Sequence, residues 1–347
     1  MESETEPIVV ACAADRRYVM PLSVMLTSLV AHLDARRTLS VYVIDGGIPL
    51  ADRTRISDSL RRPNLRIEWI PGRSSARPEL PTWGRLQPRV YERLAIPYYL
   101  PDPVRKAIWL DCDLVVENDL ARLWDLDMGD RYALAVQDMI VPYVSSPLGV
   151  ARHRELGIPG SSKYFNAGVM AVNLALWRKG DVTGRVMAYL KRYWEDVVFL
   201  EQEGLNAVLA DKWGELDPRW NQNAGVSGRS FYRARHLDEA TYERVVRDPW
   251  IVHYAGNLKP WSVYSDRPSR ALYLRYLDST PWAAWRPRRR VAGLLLRIYE
   301  SSRVRNVLYP LEKRGLEILR RISRSRSSRG RADRPTISDV AMVPHGE

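Results

Sequence analysis

Ala107-Ile108-Trp109-Leu110-Asp111-Cys112-Asp113 joins four apolar residues to two carboxylates spaced by one residue. A short apolar run bounded by polar residues reads as a buried strand. Two Asp residues at this spacing point the same way where the chain is extended, and can then share a hard divalent cation. The spacing alone is weak evidence, since about one such pair is expected by chance at this Asp content. Asp125-Leu126-Asp127 is indeed a second copy, and it reads as surface or helix-capping polarity. Asp111 and Asp113 differ in lying just past a strand, where carboxylates face a ligand crevice.

Working outward, residues 8–13 read as a further buried strand and 40–45 and 65–70 as a second and a third, with later strands at 132–136, 168–173 and 250–253. Helical stretches at 21–33, 52–60 and 91–100 separate the early strands, and a Pro, Gly, Arg and Ser-rich loop covers 71–88. Strands alternating with helices predict an α/β fold, with a Rossmann-like, open, mostly parallel sheet flanked by helices. Ligands on such sheets lie beyond the carboxyl ends of the strands. Asp15, Asp45 and Asp111 all fall there.

The chain has 347 residues, 46% of them hydrophobic, with 12 Trp, which fits a globular protein with a sizeable core. No apolar run reaches the length of a membrane span, and Met1-Glu2-Ser3-Glu4 lacks the features of a signal peptide. Cys12 and Cys112 are too few for a disulfide framework, fit a reducing compartment, and read as small buried hydrophobes. The net charge is +12, and residues 286–334 carry 16 Lys/Arg against 4 Asp/Glu, which accounts for all of it. The division expected is a main α/β domain over 1–285, a basic amphipathic helical extension over 286–322 and a disordered tail over 323–347. Such a tail suits an anionic membrane surface. A solvated charged helix and a nucleic-acid contact are the alternatives, but no nucleic-acid motif appears in 1–285.

Other residues gain meaning from position. His253 ends the 250–253 strand, and an imidazole with two carboxylates suits Mn²⁺ better than Mg²⁺. Gly256 allows close backbone approach to a phosphate, and Lys259 can place a point charge on it. Asn166 can donate to and accept from sugar hydroxyls, although Phe165-Asn166-Ala167-Gly168 also reads as a turn before a strand. Glu201, Gln202 and Glu203 open a helix, where acids are ordinary dipole partners. The ordinary reading is strongest for Glu203.

These segments occur in one order: Ala13-Ala14-Asp15-Arg16-Arg17-Tyr18; Tyr91-Glu92-Arg93-Leu94; Trp109 to Asp113; Leu123-Trp124-Asp125; Tyr164 to Val169; Asn173-Leu174 with Trp177; Glu201-Gln202-Glu203; His253-Tyr254-Ala255-Gly256 with Lys259-Pro260-Trp261. The ordered set resembles glycosyltransferase family 8, the group of glycogenin and the bacterial lipooligosaccharide α-galactosyltransferases, over roughly residues 8–265. The resemblance implies a GT-A fold, a UDP-hexose donor, retention of anomeric configuration, and Mn²⁺ (Mg²⁺ as the alternative) held by Asp111, Asp113 and His253. It also implies nucleotide contacts from Ala13, Ala14, Asp15, Tyr18, Cys112, Gly256 and Lys259. Arg93, Asp111, Asn166, Ala167, Glu201 and Gln202 would line the sugar site, and Gln202, Glu201 and Lys259 would serve catalysis. The chain departs from the family where Glu201 and Glu203 replace Asp, where Arg17 replaces a small polar residue, and where Ser262 follows Pro-Trp.

The expected function is therefore a retaining transfer of glucose or galactose to a hydroxyl of a glycan or lipid-linked acceptor. A place on the inner face of the cell membrane, in the cytoplasm, follows from the tail. Front-face attack is favoured over double displacement through Glu201, because Gln202 is a poor nucleophile. The alternatives are a nucleotide-sugar-binding protein without transfer and a nucleic-acid-binding protein using the tail.

Overall fold

In a computed structural model of the chain, residues 6–72, 88–226, 234, 236–256, 259–262 and 269–286 are described. Strand β1 (Ile8–Ala14), helix α1 (Val19–His32), β2 (Leu39–Asp45), α2 (Leu50–Ser59) and β3 (Leu65–Pro71) follow in turn. Parallel pairing in the order β3-β2-β1, with α1 and α2 as crossovers, reproduces the early strands read from sequence. The stretch 91–100 departs from its expected single helix. It is a 3₁₀ turn, Pro88–Ala95, followed by the short α3 (Ile96–Tyr99), with Pro97 in the first turn of α3. The Pro97 nitrogen has no hydrogen to donate, which keeps it at a helix start and out of a longer helix's interior.

The Asp-bearing strand β4 (Lys106–Leu110) lies beside β1, and β5 (Leu114–Val116) follows directly. After α4 (Ala121–Trp124), β6 (Ala133–Gln137) and β7 (Phe165–Asn173) extend the sheet. Helices α5 (Leu174–Lys179), α6 (Val182–Tyr193) and α7 (Leu200–Val208) precede β8 (Trp213–Glu215). The main sheet runs β3-β2-β1-β4-β7-β6-β8. β7 alone is antiparallel to its neighbours β4 and β6, so the sheet is mostly parallel, as expected. β7 begins at Phe165, so the segment 165–168 is strand and not the turn before it. The ladder slips between Ala135 and Val136, a bulge that lets β6 bend beside Asn166.

Strand β10 (Ile251–His253) leaves the main sheet altogether. It pairs with β5 and with β9 (Gln222–Asn223) in a second, three-stranded sheet, and α8 (Glu239–Arg247) precedes it. This small sheet positions the site, because it places the carboxyl end of β10 against the start of β5. Helix α9 (Arg270–Leu277) packs near α1 and closes the described part of the domain. Among the described residues no helix is long and apolar enough to cross a membrane. The expected extension over 286–322 and the tail over 323–347 lie outside the described residues beyond Arg286, and so does most of the 71–88 loop.

Candidate active site

β4 delivers Asp111 to the carboxyl edge of the sheet, and the Asp111 N–H still bonds Gly168 O at 2.9 Å. The chain thus keeps its pairing with β7 as far as Asp111, then bends at Cys112 and Asp113 before β5 begins. The antiparallel β5–β10 pair sets His253 opposite Leu114, and Tyr254 N donates to Asp113 O at 2.9 Å. Two segments 140 residues apart in sequence therefore meet through three residues of pairing. His253 Nε2 lies 3.9 Å from Asp111 Oδ2 and 3.6 Å from Asp113 Oδ1. One ligand atom from each residue falls within 4.8 Å of the others. Gly168 makes this possible, since a Cβ there would come within 2.4 Å of His253 Cε1.

The imidazole is fixed from behind. Its Nδ1 lies 2.9 Å from Asn221 Oδ1, so Nδ1 carries a hydrogen and Nε2 is the ring atom that faces the carboxylates. Asn221 Nδ2 donates to Asn166 Oδ1 at 2.9 Å, and Asn166 Nδ2 donates to Asp138 Oδ2 at 2.9 Å. Gln202 Oε1 accepts from Ala167 N at 3.0 Å, and its Nε2 reaches the same Asp138 oxygen at 3.4 Å. Asp138 Oδ1 is held by the backbone N–H groups of Ile140 and Val141 at 2.7 and 2.9 Å. A continuous polar chain thus runs from the metal-type cluster through Asn221 and Asn166 to Asp138 and Gln202.

Charge balance follows from the cations. Lys259 Nζ bonds Asp113 Oδ2, and donates to Tyr254 O at 2.9 Å. Burial would raise the Asp113 pKa, but Lys259 and His253 outweigh it and hold the carboxyl well below its usual range. Arg93 Nη2 reaches both Asp111 oxygens, at 2.8 and 3.0 Å, and Arg93 Nε lies 3.5 Å from Glu201 Oε1. Burial pushes the Glu201 carboxyl up to about 7, against the opposing pull of Arg93. The 3₁₀ turn bearing Arg93 is secured by Thr183 Oγ1, which donates to Leu94 O at 2.6 Å, and Arg178 holds the segment that follows by donating to the Pro97, Leu100 and Val104 carbonyls.

Beside the cluster opens a cleft of about 520 Å³, lined by Ala13, Ala14, Asp15, Tyr18, Cys112 and Trp109 among others. Asp15 Oδ1 accepts from Arg17 N at 2.9 Å, and Tyr18 meets the Trp261 ring edge-on at 5.9 Å between centroids. The Cys112 thiol turns away from the cluster and donates to Ala13 O at 3.1 Å. Contact with Cys12, then burial, pushes its pKa well above the usual thiol value, so it is no nucleophile. Gly256 adopts φ +88°, a conformation that favours glycine.

Asp45, at the end of β2, does not line the cleft. Its Oδ1 caps the turn through Gly47 N and Ile48 N at 2.8 and 2.6 Å, and Oδ2 pairs with Arg53 at 3.1 Å. Glu203, as its ordinary reading held, is structural: it accepts from Ala151 N, Tyr189 Oη and Val198 N. Three participants escaped the sequence reading. Asp138 lies just after a strand end, a signal identical to that of Asp111. Asn221 sits in a 3₁₀ turn with no periodicity to mark it, and Trp109 counts as merely apolar until its indole N–H is placed.

The model of glycosyl transferase family 8 matches residues 9–264. General stress protein A of Bacillus subtilis is 30% identical over 280 residues, covering 79% of this chain and 94% of that protein. Lipopolysaccharide glucosyltransferase WaaO of Escherichia coli is 23% identical over 290 residues, 81% of each chain. Among solved structures, galactosyltransferase LgtC in complex with donor and acceptor sugar analogues matches with a TM-score of 0.64 and 25% identity, over 79% of this chain and 96% of that one.

Proposed function

The chain belongs to glycosyltransferase family 8, and we propose that it moves a hexose, glucose or galactose, from a UDP-sugar to a hydroxyl of a glycan or lipid-linked acceptor, with Mn²⁺ and with retention of configuration. The observation that carries this reading is the meeting of Asp111, Asp113 and His253 at the edge of the cleft. Two carboxylates and a neutral imidazole whose Nε2 is turned inward fit Mn²⁺. When bound, the ion supplies Lewis-acid neutralisation of the charge on the departing diphosphate.

The chain's own residues take the remaining roles. Lys259 adds a fixed positive charge next to Asp113. The alanine edge of β1, Asp15 and Tyr18 offer a slot for the base, with Tyr18 as a stacking surface. Asn166, Glu201 and Gln202 present donors and acceptors to sugar hydroxyls. With its carboxyl pushed up to about 7, Glu201 exchanges donor and acceptor roles near neutrality. Gln202 is anchored by Ala167 N, and an amide so held is a poor nucleophile, which favours attack on the face that UDP leaves. The names of the relatives, a lipopolysaccharide glucosyltransferase and a galactosyltransferase, support the donor and acceptor classes.

UDP release from UDP-glucose and UDP-galactose, with Mn²⁺ and with EDTA, tests the reading. Metal-dependent release is expected; absence of both turnover and binding overturns it. Affinity with only slow hydrolysis, whatever acceptor is supplied, would favour a binding protein without transfer. The basic segment 286–334 is proposed to hold the enzyme on an anionic membrane at its cytoplasmic face. Removing 286–347 should abolish flotation with anionic vesicles and leave UDP release intact. Salt-sensitive RNA affinity of the full chain, without vesicle binding, would contradict that.

A further inference from the structure

Each carboxylate of the cluster is divided between two tasks. Asp113 turns Oδ1 towards His253 Nε2 at 3.6 Å, while Oδ2 is taken by Lys259. Asp111 turns Oδ2 towards the same nitrogen at 3.9 Å, while Oδ1 accepts the indole N–H of Trp109 at 2.8 Å. Arg93 Nη2 straddles the Asp111 carboxylate, closer to Oδ1 at 2.8 Å than to Oδ2 at 3.0 Å, and its guanidinium carbon stands 5.7 Å from the Trp109 ring centroid.

Trp109 can reach Asp111 because both lie on one face of an extended segment, two residues apart. The indole itself cannot wander. It is 3% exposed, on a strand paired on both sides, opposite Ala11 of β1 and Met170 of β7. A buried indole N–H without an acceptor is costly, so the bond to Oδ1 is retained whether or not an ion is present. We infer that Trp109 is a positioning residue of the metal centre, which holds Asp111 so that only Oδ2 is offered to the cation.

Asp111 and Asp113 would then each offer one oxygen and His253 one nitrogen, and a bound cation would take its remaining ligands from phosphate oxygens and water. Such a site suits Mn²⁺ or Mg²⁺, whereas Ca²⁺, which takes six to eight oxygens and often two from one carboxylate, is disfavoured. Partners of metal ligands typically alter affinity by about 10–100-fold when removed. The inference rests on the metal reading above, and its test separates the two.

The probe is Mn²⁺ binding followed by electron paramagnetic resonance in saturating UDP, with Ca²⁺ as competitor, on the full chain and on Trp109→Phe, which keeps a ring and loses the N–H. The expected result is about a tenfold weaker Mn²⁺ affinity in the variant and a smaller loss for Ca²⁺. Equal losses for both ions, or Mn²⁺ affinity within about twofold of the parent, overturn the role of Trp109 and leave the metal centre standing. No Mn²⁺ binding by the parent chain overturns the centre itself. Should the variant not fold, Mg²⁺ titration of the parent, watching its 12 indole N–H resonances, decides the question. One hydrogen-bonded resonance must move with Mg²⁺; if none moves, the inference fails.

Discussion

Asp111-Cys112-Asp113 and Asp125-Leu126-Asp127 have the same spelling and opposite fates. In the first, both side chains meet His253, Arg93 or Lys259, and the Asp113 side chain is 11% exposed. In the second, Asp125 ends α4, pairs with Arg37 at 2.8 Å and is 56% exposed. Asp127 only caps a turn, accepting from Gly129 N at 2.9 Å. Two carboxylates become a site through what approaches them. For the first pair that is a strand end, a glycine that admits an imidazole, and cations from two other elements. For the second it is solvent, one paired arginine and the nearby charge of Lys106.

The largest expected effect sharpens this contrast. Asp113→Asn should lower metal-dependent UDP release by about a thousandfold, while Asp127→Asn stays within about twofold; parallel kinetics with a Mn²⁺ titration check it. Next comes Asn221→Ala, which touches neither pair. Losing the acceptor for His253 Nδ1 should weaken Mn²⁺ binding by about 10–100-fold, read by the same resonance method. A loss below about twofold would mean the imidazole needs no such support.

A third effect is on stability. The Glu201 carboxyl in the fold is pushed up to about 7 from an ordinary value of 4.5. The folded state therefore keeps a proton that the unfolded chain gives up, and stability falls as pH rises between those values. Above about pH 7 the full cost, about 3 kcal/mol, is present. Urea unfolding of the EDTA-treated protein at pH 5 and pH 8 should show that decline, and Glu201→Gln should flatten it. Smallest is Asp125→Asn. An exposed pair with Arg37 is worth about 0.5 kcal/mol, and the difference should fade in 1 M salt, in which charges are screened within about 3 Å.

Much of the fold was legible because β1, β2 and β4 are largely apolar runs, and helices separate β1 from β2 and β2 from β3. The rest was hidden for physical reasons. β5, β8 and β9 have two or three residues, too few to display a period, and β7 reverses direction without any local mark. The site was legible where a polar residue stands at a strand end, as with Asp15, Asp111 and His253. It was not legible where the role depends on a contact made only in three dimensions. Asn221 turns the imidazole, and Trp109 reaches Asp111 with a hydrogen that its apolar class conceals. Asp45 shows the converse, a strand-end carboxylate consumed by its own turn.

The most direct test of the metal centre is anomalous diffraction at the manganese edge from crystals grown with Mn²⁺ and UDP. The account predicts one strong peak within bonding distance of Asp111 Oδ2, Asp113 Oδ1 and His253 Nε2, with diphosphate oxygens on its open side. A peak at Asp125-Leu126-Asp127, or none at all beside bound UDP, would contradict it.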